Sequence, residues 1–344
     1  DQTRLLNFVT RAVENLNLKN QNKEYETKLF SSYELVGESK NITTIKDQIE
    51  KISITESRIL INGPSGSGKE LIARKIHKKS KRNSRPFIIL NGALLDSSKY
   101  QTELFGEEKE NGSISYGALE KANQGTLLID QVSEIPLDIQ SKILRVLTDQ
   151  KFKRVNGSND VSVDVRLICS SSKDLKKEIE IGNFREDLFH RINVFEINIE
   201  PLNQRISDIP LLIKYFSKKI SENYKIKELD IDENNSYILN HNWHGNVREL
   251  RNLIERIAIL QPDTKDKISN IIKESLKNTN FDDQLAENSL SVPLKEAREK
   301  FEKEYLTIQL KKFNGNISKT ANFVGMERSA LHRKLKGLGI KEFN

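Results

Sequence analysis

Gly63, Pro64, Ser65, Gly66, Ser67, Gly68 and Lys69 form a glycine-rich stretch closed by a lysine, set between an apolar run, Arg58 to Asn62, and an amphipathic run, Leu71 to His77. In that setting the peptide N–H groups can curl around phosphate oxygens, the following helix presents its positive end, and Lys69 can reach the β and γ phosphates of a nucleotide. Glu70 stands where Ser or Thr would normally touch magnesium, so the metal side must come from elsewhere. Leu127-Leu128-Ile129-Asp130 supplies it: an apolar strand ending in a carboxylate, at the sheet edge where open α/β proteins bind ligands. Asp130 is expected to hold Mg2+ through water. Gln131 follows, and an amide cannot take the proton of an attacking water. Glu134 is the alternative base. The residues therefore predict a module that binds ATP or ADP with Mg2+; whether it is an enzyme stays open, with hydrolysis impaired at Gln131.

The elements that must position these groups alternate. Arg58 to Asn62, Pro86 to Asn91, Thr126 to Asp130, Val163 to Ser170 and Val194 to Ile199 read as buried strands separated by helical patterns, which predicts a parallel α/β sheet. After Gln204 the pattern turns helical, through Ile209 to Glu222, Glu233 to Asn242 and Val247 to Ala258. The basic run Arg74 to Arg85 reads as solvated surface, and Trp243 and Cys169 as core.

At the far end, Asn316 to Val324 and Arg328 to Leu338 are helical patterns separated by Gly325-Met326, the spacing of a helix-turn-helix. Ile317, Ala321, Val324, Leu331 and Leu335 would face inward, leaving Arg328, Ser329, His332, Arg333 and Lys336 toward double-stranded DNA. From Lys311 to Asn344 there are eight basic and two acidic residues, so nearly all of the chain's net charge of +7 is concentrated there.

The whole chain has 344 residues, 36% hydrophobic and 31% charged, enough for two or three packed domains with a wet surface. No apolar stretch approaches the length that spans a bilayer, and the single Cys169 excludes an intramolecular disulfide, which fits a reducing, cytoplasmic setting.

With these residues assembled, the chain resembles the AAA+ activators of the NtrC type, and most of all their NtrX branch, over nearly all of its length. Gly63 to Glu70 is similar to that family's phosphate loop, in which Glu follows Lys. Asn91, in Leu90-Asn91-Gly92-Ala93, stands where the family has a switch asparagine that contacts a glutamate; here that glutamate is Gln131. Phe184-Arg185-Glu186-Asp187-Leu188 and His190-Arg191 resemble the segment whose two arginines reach the neighbouring subunit's γ phosphate. Trp243 to Leu250 resembles the sensor II helix, with His244 in place of a usual proline and Arg248 retained. Ser171 and Ser172 stand at the family's Thr-Asn sensor I pair. Between Gly106 and Gly117, family members that remodel the sigma-54 polymerase carry a Gly-Ala-Phe-Thr-Gly-Ala loop; the ten residues Glu107 to Tyr116 contain no such sequence.

The resemblance implies an AAA+ parallel sheet over 33–200, a helical lid over 201–274, a flexible linker over 275–293 and an all-α Fis-type helix-turn-helix domain over 294–344. It implies that 1–32 is the linker helix closing an absent receiver domain. It also implies a two-component response regulator that binds ATP and specific DNA to regulate transcription without sigma-54 remodelling, the alternative being a working ATPase that activates the sigma-54 polymerase. The implied partners are DNA, a sensor histidine kinase acting through the receiver, RNA polymerase, and further copies of the chain in a dimer or hexameric ring.

Overall fold

The computed structural model describes residues 34–94, 99–110, 112–262, 264–276, 302–303, 305–307, 309–310, 313 and 316–338. The expected linker helix over 1–32 and all but the first two residues of the expected linker over 275–293 lie outside them. The chain divides into two compact units, one ending at Ser269 and the other beginning at Asn270.

The first unit is built on a five-stranded sheet of order β2-β5-β8-β1-β9, formed by Ile59–Asn62 (β1), Phe87–Asn91 (β2), Thr126–Asp130 (β5), Arg166–Ser171 (β8) and Phe195–Asn198 (β9). All four pairings are parallel. A parallel sheet must be covered on both faces, and period-two alternation divides the strand residues between two cores. Leu127 and Ile129 of β5 join Leu60, Leu90 and Cys169 on one face. Leu128 points the other way, into a core shared with Ile59, Ile61 and Ile168. That second core is closed by the helices Lys40–Ser53 (α1) and Lys69–Lys79 (α2). Helix α1 contributes Ile42, Ile45, Ile49 and Ile52, whose three- and four-residue spacing makes one apolar stripe.

The parallel registers bring the strand ends to one edge. Asn91 lies opposite Asp130, and Asn62 opposite Ser171, so β8 stands between the strand that feeds the glycine-rich loop and the strand that ends in the carboxylate.

Two small hairpins were not expected. Glu107–Glu108 (β3) pairs with Ile114–Ser115 (β4), and Lys151–Lys153 (β6) with Asp160–Ser162 (β7). Strands of two or three residues are too short to show a period in the sequence. Arg154 joins them, donating to both oxygens of Glu120 at 2.9 and 2.6 Å and to Glu108 at 2.8 Å. Within the interval Glu107 to Tyr116, the described residues Glu107–Glu108 and Ile114–Ser115 are thus paired strands.

The basic run Arg74 to Arg85 is less solvated than expected. Arg74 pairs with Glu70 at 2.8 Å, and its guanidinium lies 5.0 Å from the centre of the Phe87 ring. Arg82 bonds to Glu56 and Asp164, each at 2.8 Å, and to the carbonyls of Gly125 and Asp164. It rivets loops together, which a run of like charges in the sequence does not reveal.

After the sheet come the helix Ile209–Tyr224, the single-turn helix Ser236–Leu239, the helix Asn246–Leu260, and a helix over 265–276. The expected helix Glu233 to Asn242 is thus reduced to one turn. Asn240 caps it, and Trp243, with φ of 52°, turns the chain while its buried indole donates to Ile238 O at 3.0 Å.

In the second unit, Ile317–Val324 is capped by the side chain of Asn316, which accepts from Lys319 N at 3.1 Å. It ends at Gly325 in the left-handed region, φ 73°, which lets Arg328–Gly337 start in a new direction. Ala321, Leu331 and Leu335 are buried with Leu306 and Leu310, and Ile317, Val324, Met326 and Leu338 pack against them. Among the described residues no helix is long and apolar enough to cross a membrane.

Candidate functional site

The loop after β1 passes from Gly63 to Gly68 and delivers Lys69 as the first residue of α2. Its turn is anchored where Gly63 N–H donates to Ser171 O at 3.2 Å. Gly66 has φ of 75°, and a Cβ there would lie 2.2 Å from the carbonyl oxygen of Gly245, so only glycine permits the approach. Lys69 is 6% exposed and donates from Nζ to the carbonyls of Gly63 at 2.7 Å and Pro64 at 3.0 Å. Burial lowers its pKa, Asp130 opposes that shift, and Arg248 adds to it. A cation in that condition gains from an anionic ligand, which would restore the charge partner that desolvation removed.

Opposite the lysine, Ser170 Oγ donates to one oxygen of Asp130 and accepts from Gln131 N–H at 3.3 Å. Gln131 sits in the left-handed region, φ 60°, and its amide oxygen accepts from Ser172 N–H at 3.1 Å and from Ser172 Oγ at 2.7 Å. Ser171 Oγ instead donates to Lys173 O at 2.7 Å. Of the two serines, one is occupied by its own loop and the other clasps Gln131. Asn91 Oδ1 accepts from Ala93 N–H at 2.9 Å, a local turn bond, so the side chain does not engage Gln131 here. The neighbouring Gly92 does lie against it: a Cβ on Gly92 would sit 2.5 Å from Gln131 O. Glu134 pairs with Lys173 at 2.9 Å and is not among the residues lining the cleft described next.

These groups open into a cleft of about 290 Å³. Its polar lining includes Ser65 to Glu70, Asp130, Gln131 and Arg248, and its apolar lining Leu35, Val36, Leu212, Phe216 and Val247. A compartment lined by both anion-binding groups and apolar side chains suits a nucleotide, which has phosphates and a base to place. Arg248 Nη1 donates to Ser65 Oγ at 3.3 Å, and Arg248 N–H to Gly66 O at 3.2 Å. The sequence reading missed the apolar wall and missed Arg205, a 3% exposed cleft residue whose Nη2 donates to Ser67 O at 3.1 Å.

Arg185 and Arg191 do not line the cleft. Arg185 precedes helix Glu186–Ile192, its guanidinium fork held by Asp187 at 3.0 and 2.7 Å and by Ser141 Oγ at 3.1 Å. Arg191, in the last turn, reaches Leu147 O at 3.3 Å. In the second unit Arg328, Ser329, His332, Arg333 and Lys336 are all exposed on one helix, as the sequence predicts.

Three families of known proteins match the chain. Residues 35–198 match the family model described as the sigma-54 interaction domain, 203–288 the AAA+ ATPase lid domain, and 297–338 the bacterial regulatory protein, Fis family. The chain is 43% identical, over 98% of its length and 76% of the relative's, to the nitrogen assimilation regulatory protein NtrX of Azorhizobium caulinodans. It is also 43% identical, over 98% of its length and 73% of the relative's, to a putative NtrX-like response regulator of Rickettsia felis. Crystal structures of NtrX from Brucella abortus in complex with ADP and with ATP are similar to it, with TM-scores of 0.71 and 0.68 and identities of 43% and 44%; each comparison covers 98% of this chain and 76% of the other.

Proposed function

This chain belongs to the NtrX-like branch of the NtrC-type AAA+ response regulators, and we propose that it is a DNA-binding regulator whose nucleotide is held and whose hydrolytic step is disarmed. One observation carries the second half. The position after Asp130 bears an amide, and its oxygen accepts two hydrogen bonds from Ser172.

Nucleotide binding is supported by the buried Lys69, the glycine-rich loop and the cleft that the two line, and by the ADP and ATP complexes of the Brucella relative. Among the described residues no cluster of three or more His, Cys, Asp or Glu could hold a metal by itself. That suits Mg2+, which keeps several waters and is held by one or two carboxylates together with phosphates. Asp130 is the carboxylate for that task, through water, and Glu70 is paired with Arg74. Bound Mg2+ would neutralise phosphate charge; Lys69, Arg248 and the loop N–H groups would bind and orient the phosphates. At the position after Asp130, Gln131 supplies no base. General-base help is typically worth about 100- to 10,000-fold, so binding should outlast hydrolysis.

Arg185 and Arg191, remote from their own cleft, are suited to a neighbouring copy's γ phosphate, which makes assembly into a dimer or ring part of the proposal. The exposed basic face of Arg328–Gly337 is suited to a DNA major groove. A receiver domain like that of other response regulators, addressed by a sensor kinase, and a contact with RNA polymerase complete the proposal. Equilibrium binding and steady-state turnover of ATP by the same preparation test it: tight binding with turnover near background is the expected result. A second reading, an active ATPase that remodels the sigma-54 polymerase, is favoured by the match of 35–198 to the sigma-54 interaction domain. Turnover near about 1 per second, inside the ordinary enzyme range, would support it.

A further inference from the structure

Three successive carbonyls of the phosphate loop accept hydrogen bonds from residues that follow the sheet in sequence. Asn246 Nδ2 donates to Ser65 O at 3.0 Å, Arg248 N–H to Gly66 O at 3.2 Å, and Arg205 Nη2 to Ser67 O at 3.1 Å. A trans peptide is planar, with its C=O and its N–H pointing opposite ways. Fixing each carbonyl therefore fixes the N–H of Gly66, Ser67 and Gly68 in the opposite direction. Ser67 N–H donates within the loop, to Pro64 O at 3.3 Å. The N–H groups of Gly66 and Gly68 remain as those whose aim is fixed by side chains, and those side chains are Asn246 and Arg205.

We infer that Arg205 and Asn246 are positioning residues for phosphate: they hold the 65–66 and 67–68 peptides so that the Gly66 and Gly68 N–H groups face a diphosphate. The inference rests on the nucleotide-binding role proposed above. Arg205 is 3% exposed, and its Nε is buried without a hydrogen-bond partner. Burying a guanidinium is costly unless it is paired. The adjacent buried carboxylate, Asp208, accepts from Glu38 N–H, Ser39 N–H and Ser39 Oγ, at 2.8, 2.8 and 2.7 Å. The hydrogen bond of the arginine goes to the loop. A charge on the carbonyl side polarises the peptide and strengthens its N–H as a donor, so Arg205 acts on phosphate without touching it. Asn246 is 2% exposed and held at φ of 51°; its Oδ1 accepts from Leu202 N–H at 2.8 Å while Nδ2 donates to the loop. Only a side chain with an acceptor and a donor on one carbon meets both demands.

The test measures displacement of a fluorescent ADP analogue from the full chain by ADP and by inorganic pyrophosphate, which probes the phosphate end alone. In Arg205→Met both competitors should weaken together, by about tenfold, as expected for one charge-assisted bond, and Arg205→Lys should recover part of the loss. Asn246→Asp keeps the acceptor for Leu202 N–H, loses the donor to Ser65 O, and should show the same joint loss; it decides the matter if Arg205→Met does not fold. Pyrophosphate affinity equal to wild type in the folded variants overturns the inference while leaving the nucleotide site intact. A wild-type chain that binds neither competitor overturns the nucleotide site, and the inference with it.

Discussion

The amide oxygen of Gln131 accepts from both the peptide N–H and the hydroxyl of Ser172, at 3.1 and 2.7 Å. Gln131 stands one residue after the carboxylate that faces Lys69, and Ser172 is the first residue after the strand that lies between theirs in the sheet. The place where a base would polarise water is thus filled by a group that offers no basic atom and whose one acceptor is already used twice. Held in this way, the glutamine fits the function proposed above, a site that grips a nucleotide without cutting it.

Lys69 makes the grip dependent on pH. Burial lowers its pKa from the ordinary 10.5, and phosphate charge would raise it again. The complex therefore takes up protons as pH rises through the lowered value, and ADP affinity should fall with rising pH before the ordinary lysine range is reached. Calorimetric titration of ADP in two buffers of different ionisation enthalpy reads the uptake directly. In the nucleotide-free chain the sign is opposite: between the lowered pKa and 10.5 the unfolded state holds more of this proton, so this group's contribution makes folding stability rise with pH. Lys69→Ala should weaken ADP by about 100-fold and leave DNA affinity unchanged, because it removes a charge-assisted contact at the nucleotide end alone.

Gly66→Ala should destabilise the first unit. The new methyl would meet Gly245 O at 2.2 Å, backbone against backbone, at a φ of 75° that L residues rarely adopt. Overpacking and the left-handed conformation each cost about 1–2 kcal/mol or more, so urea unfolding of the nucleotide-free variant should show a loss of at least about 2 kcal/mol.

DNA affinity should fall steeply with salt, by about 0.9 log unit per log unit of salt for each phosphate neutralised. Arg328→Ala and Arg333→Ala should each weaken binding and lower the slope, because both side chains are exposed on the second helix of the pair. Filter binding of a selected DNA site from 50 to 200 mM salt, about the range over which such contacts are distinguished, measures both effects. Unchanged affinity in the double variant would place the recognition surface elsewhere.

Much of this was legible because the signals are local. The five sheet strands are short apolar runs, and the phosphate loop, Asp130 and the helix pair around Gly325 carry their chemistry in adjacent residues. What escaped depends on distant partners. Arg205 looks like any surface arginine until its bond to Ser67, 138 positions away, is seen. Asn246 gives no sign that it spans to Ser65, 181 positions distant. Leu35, Val36, Leu212 and Phe216 are ordinary core types that happen to wall a cleft. Ser172 was noted only as a divergent sensor position, and nothing in its neighbours shows that Gln131 accepts from it. The β3–β4 hairpin escaped for the opposite reason, being too short to impose a period.

Gln131→Glu tests the central claim most directly, because it changes one atom of the side chain's polar group. Ser172 N–H and Oγ can hold a carboxylate as well as an amide, so the new group should keep the same place. Steady-state ATP turnover is measured for wild type and variant beside equilibrium ADP affinity. The disarmed-site account predicts turnover near background in wild type and at least about a tenfold rise in Gln131→Glu, well inside the general-base range, with affinity little changed. Equal turnover in the two proteins, both above background, would mean that another group serves as base and would contradict it.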